Sequence, residues 1–85
     1  VMKVLYVSGV EGAASQYEDM SQEEKDEIME HVWKSYERGE TYRNDSGVNF
    51  EIKDFEEVDE NFIDFIYSIQ DYESSLNANF YAVEE

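Results

Sequence analysis

The sequence contains no cysteine and no proline. Without cysteine there is no disulfide staple, thiolate metal site or cysteine nucleophile. Without proline, no element is interrupted by a residue that cannot complete its backbone hydrogen bonds. Basic residues are scarce as well: six Lys and Arg face 22 Asp and Glu, for a formal net charge of −16. That sign excludes nucleic acid and anionic membrane surfaces as direct partners, because both are polyanions, and favours a basic protein surface. No apolar run approaches the ~20 residues of a membrane span. No charged n-region followed by an apolar h-region marks a signal peptide. The expected compartment is therefore the cytoplasm. Val1 precedes Met2 and reads as a residue left by cloning, with Met2 as the natural start.

What is present is a folding chain. Eighty-five residues are read as one acidic α+β domain, 1–85. At that length roughly 60–65% of the unfolded surface can be buried, so each large apolar side chain matters. Hydrophobic residues make up 41% of the sequence, with seven Tyr, five Phe and Trp33, which argues against disorder despite the charge.

Met2 to Ser8 (MKVLYVS) is rich in β-formers, with Val4 and Tyr6 on one face and Leu5 and Val7 on the other. Two apolar faces predict a central strand. Residues 9–20 form a long connection of about twelve residues, a length that implies mobility or function. Ser21 and Glu24 make an S-x-x-E capping box, followed by Ile28, Met29, Val32, Trp33 and Tyr36 at helical spacing. The helix is expected to end near Arg38, with Gly39 as terminator. Strands are expected over 41–44 and 48–55, joined through Asn44-Asp45-Ser46-Gly47. In the second, Val48, Phe50 and Ile52 alternate with Asn49, Glu51 and Lys53. A second helix is expected over 59–76, capped by Asp59 and stapled by Val58 and Ile63, with Phe62, Phe65, Ile66, Ile69 and Leu76 as its stripe. A last strand follows over 77–83. The order β-α-β-β-α-β is the ferredoxin-like, split βαβ pattern: a four-stranded antiparallel sheet with two helices on one face. Leu5/Val7 or Val4/Tyr6 would then lie on the uncovered face, and an apolar sheet face open to water predicts a homodimer packed through the sheet.

Catalytic chemistry finds few carriers. His31, the one histidine, lies away from the apolar stripe and reads as a solvated surface residue. No nucleophile elbow, P-loop or dinucleotide fingerprint occurs. A calcium loop placing its glycine at Gly47 would begin at Tyr42 and end at Lys53, which are not ligands. Carboxylate pairs can be drawn anywhere among 22 acids and carry no signal. The expectation is a non-enzymatic protein without metal or cofactor.

The acids have a pattern. At 100° per residue, Glu23, Glu27 and Glu30 fall opposite the Ile28–Tyr36 stripe, with Asp26 and Glu37 on its flank. On the second helix Glu60, Asp64 and Asp71 lie opposite Phe62, Ile66 and Ile69. Glu51, Asp54, Glu56, Glu57 and Asp59 form a dense stretch between. Surface helices are commonly charged, and acids near a helix N-terminus are stabilising; that accounts for Glu23, Glu24, Asp59 and Glu60. It does not account for Asp26, Glu27, Glu30, Asp64 or Asp71. Like charges at i,i+4, such as Glu23/Glu27, Asp26/Glu30 and Glu60/Asp64, each cost roughly 0.2–0.5 kcal/mol. A local rule broken repeatedly without structural gain points to function. The candidate partner-binding residues are Glu23, Asp26, Glu27, Glu30, Asp54, Glu56, Glu57, Glu60, Asp64 and Asp71, with Tyr17 and Tyr67 as exposed aromatics beside them.

Carboxylates at i,i+4 stand ~5–6 Å apart, near the spacing of successive phosphates on a nucleic-acid strand. Duplex DNA carries one charge per ~1.7 Å, so a charge of −16 matches roughly 27 Å of duplex, about eight base pairs. In charge, size and aromatic content the chain resembles the acidic DNA-mimic inhibitor proteins of bacteriophages. The resemblance implies a basic DNA-binding protein of a bacterial host as partner. Carboxylates imitate phosphates but not base edges, so a histone-like nucleoid protein such as HU is favoured over restriction, CRISPR or transcription machinery. An acidic adaptor or antitoxin-like module, binding a basic partner without competing with DNA, would use the same surface. A halophilic domain is less well matched, because Glu (fifteen) outnumbers Asp (seven) and large apolar residues are plentiful.

Overall fold

The computed structural model describes residues 2–55, 64, 68 and 78–83. Its elements are β1 (Met2–Ser8), α1 (Ala13–Glu18), α2 (Gln22–Glu37), β2 (Tyr42–Arg43), β3 (Asn49–Phe55) and β4 (Asn79–Ala82). The strands form one four-stranded sheet in the order β2-β3-β1-β4, with every neighbouring pair antiparallel. The fold is α+β, and β1 is an inner strand, as its two apolar faces predict.

Register explains the core. Leu5 stands opposite Ile52, and Val7 opposite Phe50. These four point to one face, where Ala13 and Tyr17 of α1 and Val32 of α2 close over them. Phe50 and Leu5 are fully buried, each contributing roughly 1.5–3 kcal/mol. The connection 9–20 is thus not a plain loop. Ala13 and Tyr17, four residues apart, give α1 a buried edge, and this pays for ordering a helix too short to persist alone.

The helix expected over 21–38 forms over Gln22–Glu37 with Ser21 as N-cap. The Glu24 N–H donates to Ser21 Oγ at 3.2 Å, and the Ser21 hydroxyl lies 3.2 Å from Glu24 Oε1. Its C-terminus is a Schellman motif: the Glu40 N–H donates to the Ser35 carbonyl (2.8 Å) and the Gly39 N–H to the Tyr36 carbonyl (3.0 Å). Gly39 takes φ +73° there, a conformation that side chains disfavour.

The hairpin forms where the turn residues predict, with shorter strands. β2 covers 42–43 rather than 41–44, β3 begins at 49 rather than 48, and β4 covers 79–82 rather than 77–83. Asn44 Oδ1 accepts from the N–H groups of Ser46 (3.0 Å) and Val48 (2.9 Å), so the side chain takes two donors that a ladder would otherwise satisfy. Gly9 abuts this turn at φ +123°; a Cβ there would sit 2.7 Å from the Gly47 carbonyl oxygen.

The face of Val4, Tyr6 and Phe80 corrects the expectation of an open apolar surface. Val4 is 0% and Phe80 4% exposed. The Tyr6 ring is tilted against Phe80 (4.8 Å between centroids), and Lys53 Nζ lies 4.2 Å from the Tyr6 ring centre. At its centre this sheet face is not open to water. The helix expected over 59–76 lies outside the described residues, except that Asp64 and Ser68 have helical conformation. No helix among the described residues is long and apolar enough to cross a membrane.

Candidate protein-binding surface

Glu23, Asp26, Glu27 and Glu30 are all exposed on α2. The helix orients them because its opposite edge is committed: Val32 and Ser35 are buried, and Ile28, Met29, Trp33 and Tyr36 pack against the core. Two have local partners. Asp26 accepts from Gln22 Nε2 at 2.8 Å, and Glu30 lies 3.4 Å from Lys34 Nζ. Glu23 and Glu27 have none among the described residues.

The α1–α2 corner extends the surface. Between 18 and 30, Glu18, Asp19, Glu23, Glu24, Asp26, Glu27 and Glu30 are exposed, with Lys25 the one base in that stretch. Lys25 is drawn inward, its Nζ 5.1 Å from the centre of the Tyr17 ring. Other cations are held elsewhere: Lys3 against Asp54 (3.5 Å) and Arg38 against Glu40 (3.1 Å). Cation–π and ion-pair contacts of this kind hold the cations near particular groups and leave the outer face of α2's first turns acidic. Glu18 and Asp19 were missed in the sequence because the segment reads as a connection; the Ala13/Tyr17 spacing was the available signal.

One candidate is corrected, and a second has partners within the fold. Tyr17 is not an exposed contact residue. It is 9% exposed, with its ring edge-on to Phe50 at 5.9 Å and tilted against Tyr81 at 4.9 Å. Burial, and secondarily the Asp26 charge, push its hydroxyl pKa up. Asp54 is exposed but occupied: it accepts from the Tyr36 hydroxyl at 2.8 Å and pairs with Lys3. Tyr36 follows Glu30 by six residues, about 9 Å along the helix axis, so Asp54 belongs to a contact between α2 and β3 and is not part of the N-terminal acidic face. Asp64 is exposed. Glu56, Glu57, Glu60, Tyr67 and Asp71 lie outside the described residues.

His31 is exposed, as expected, and additionally stacks on Tyr42 with 5.4 Å between ring centres and 9° between planes. Among the described residues no group of His, Asp and Glu is arranged to hold a metal ion.

A second feature adjoins the acidic corner. A cleft of about 250 Å³ opens between α1 and the start of β4. At its edge the Tyr81 hydroxyl donates to Glu18 Oε1 at 3.0 Å and accepts from Asn79 Nδ2 at 3.4 Å. Burial first, then the Glu18 hydrogen bond, raise the Tyr81 pKa. The Tyr81 proton is committed to Glu18, so Asn79 must present its amino end to that oxygen. Its buried Oδ1 is left without a donor among the described residues.

Comparison with known proteins yields no match: no protein-family model fits the sequence, and neither a curated protein nor a solved structure matches it.

Proposed function

We propose that this chain is a non-catalytic, acidic binding protein. It presents carboxylates in place of DNA phosphates and blocks a basic DNA-binding protein of a bacterial host, acting in the host cytoplasm. The observation carrying this reading is the outer face of α2. Glu23, Asp26, Glu27 and Glu30 stand exposed on a helix capped at both ends, and Lys25 is folded over a ring rather than set among them. Successive i,i+4 carboxylates give a charge spacing of ~5–6 Å on a rigid element. A basic groove can meet them without first ordering them, which lowers the cost of binding. A nucleoid protein that grips DNA by backbone and shape remains the favoured partner.

The test is capture of partners from bacterial lysate with and without added duplex DNA, followed by competition with the purified partner. Mutually exclusive binding of DNA and this protein, weakening steeply with salt, is the expected result. A stable ternary complex overturns mimicry in favour of the adaptor reading.

The order β2-β3-β1-β4, with all neighbours antiparallel, supports a ferredoxin-like strand arrangement, while the burial of Val4 and Phe80 does not fit a sheet with one face left open to water. In it β3 is inserted between β1 and β2, and a second helix joins β3 to β4. Backbone chemical shifts over 59–76 test this directly; extended values there would remove it.

A further inference from the structure

We propose that the cleft between α1 and β4 is a receptor for one basic side chain, a lysine or arginine, projected by the protein partner. Its walls are small: Gly12, Ala14 and Ala78, with Ser15, Glu18 and Asn79 supplying the polar atoms. A cleft lined by small residues beside a carboxylate has room for an aliphatic stem and an acceptor for a cationic head. Long basic side chains have this shape, an apolar stem with a cationic head.

Glu18 is positioned from another element, whereas Glu24, Asp26 and Glu30 of α2 have partners within their own helix or its cap. The Tyr81 hydroxyl holds Oε1 at 3.0 Å, and Asn79 Nδ2 holds Tyr81 in turn. A pre-positioned carboxylate loses less side-chain freedom when it pairs than a free surface glutamate does. Oε2 is left for an incoming donor, and a carboxylate has more acceptor sites than Tyr81 uses. The unpartnered Asn79 Oδ1 is a second acceptor of the same chain of groups. It is covered by its neighbours, so a donor reaches it only if the cleft wall yields; Glu18 is the primary contact. Glu18 is the acceptor that faces the cleft, and its charge favours a cationic donor.

This inference rests on the partner being basic, and it adds a specific anchor to the diffuse charge of α2. It is tested without the partner by titrating the protein with butylammonium and butylguanidinium, with butylurea as neutral control, and following backbone amide shifts. Saturable shifts at Ala14, Ser15, Ala78 and Asn79 with either cation, absent with butylurea, are expected. Glu18→Gln should weaken this binding tenfold or more, since it retains an oxygen for Tyr81 while removing the charge. Ala14→Leu should block it by filling the cleft, and because Glu18→Gln preserves every side-chain size, the test does not depend on Ala14→Leu folding. Equal binding of butylurea, shifts confined to Glu23–Glu30, or unchanged affinity in Glu18→Gln overturns the receptor while leaving the α2 reading standing. Conversely, cleft binding that persists when the captured partner forms a ternary complex with DNA overturns mimicry and leaves the receptor. Once the partner is known, equal affinity for wild type and Glu18→Gln also overturns the receptor.

Discussion

The Tyr36 hydroxyl donates to Asp54 Oδ2 at 2.8 Å and so ties the C-terminal turns of α2 to β3. Lys3 reaches the other oxygen of the same carboxylate from β1, at 3.5 Å. An acid that sequence reasoning assigns to partner binding is therefore a structural link between three elements. Tyr36→Phe should lower stability by about 0.5–1.5 kcal/mol, read as a shift in the urea midpoint. Asp54→Asn should lower stability similarly and leave partner affinity close to wild type. A loss of affinity from Asp54→Asn comparable to that from the α2 acids would return Asp54 to the binding surface.

A second stability prediction concerns Gly9, where the end of β1 meets the hairpin turn. At φ +123° a Cβ would stand 2.7 Å from the Gly47 carbonyl oxygen and 3.1 Å from Asn49 Nδ2. A backbone oxygen cannot swing aside as a side-chain terminus can. Gly9→Ala should cost roughly 1–3 kcal/mol. Gly39→Ala, with no atom within 4 Å of the added Cβ, should cost about 1 kcal/mol from its backbone conformation alone. Equal urea midpoints for the two variants would show that the turn moves away from Gly9.

The elements most legible in the sequence are those with a local cause. Ser21, Glu24 and Gly39 set both ends of α2, and Asn44 to Gly47 set the hairpin. What the sequence concealed depends on contacts between distant residues. Tyr17 reads as a surface aromatic in a loop until Phe50 and Tyr81 are brought against it. Asp54 reads as one acid in a run until Tyr36 and Lys3 arrive. The Glu18–Tyr81 bond joins residues 63 positions apart, and no local periodicity reports it. The α2 acids were legible because a helical face is fixed by spacing alone.

The buried state of Val4 and Phe80 changes the expected assembly. A homodimer through the sheet requires an apolar face open to water, and those two residues are 0% and 4% exposed within a single chain. Light scattering at micromolar concentration should give a mass near the 10.0 kDa of the monomer. A mass near twice that would require an interface other than the centre of this sheet face.

Alkaline pH should destabilise the protein through Tyr17, which is buried, and Tyr81, which is partly buried. Tyr17 and Tyr81 both have raised pKa values, chiefly from burial. An unfolded tyrosine ionises near pH 10, so above that pH the unfolded state gives up protons that the folded state retains. Stability is therefore full below about pH 10 and falls as pH rises further. Urea midpoints should be level in this respect up to about pH 10 and then decline. In Tyr81→Phe the decline should be shallower, since one of the two groups is gone. Parallel declines in wild type and variant would show that Tyr81 ionises equally in both states.

Removing charge from α2 should separate binding from folding. Glu23 and Glu27 stand at i,i+4, exposed, with no side-chain partner among the described residues; Glu23 lies in the first turn of α2, where its charge is stabilising, and Glu27 lies beyond it. Glu27→Gln should therefore raise stability by up to about 0.5 kcal/mol at low salt, while Glu23→Gln should be close to neutral, relief of repulsion offsetting the lost interaction with the helix N-terminus. The gain should shrink as salt screens the pair. Glu30→Gln behaves differently, because it also removes the contact to Lys34 at 3.4 Å, and should be close to neutral for stability. All three changes should weaken the basic partner, mainly by slowing association, and should flatten the salt dependence of that rate. The two readouts move in opposite directions for Glu27: a more stable protein that binds less well. A Glu27→Gln variant that loses stability and affinity together would mean that this acid serves the fold, and the outer face of α2 would no longer be the binding surface.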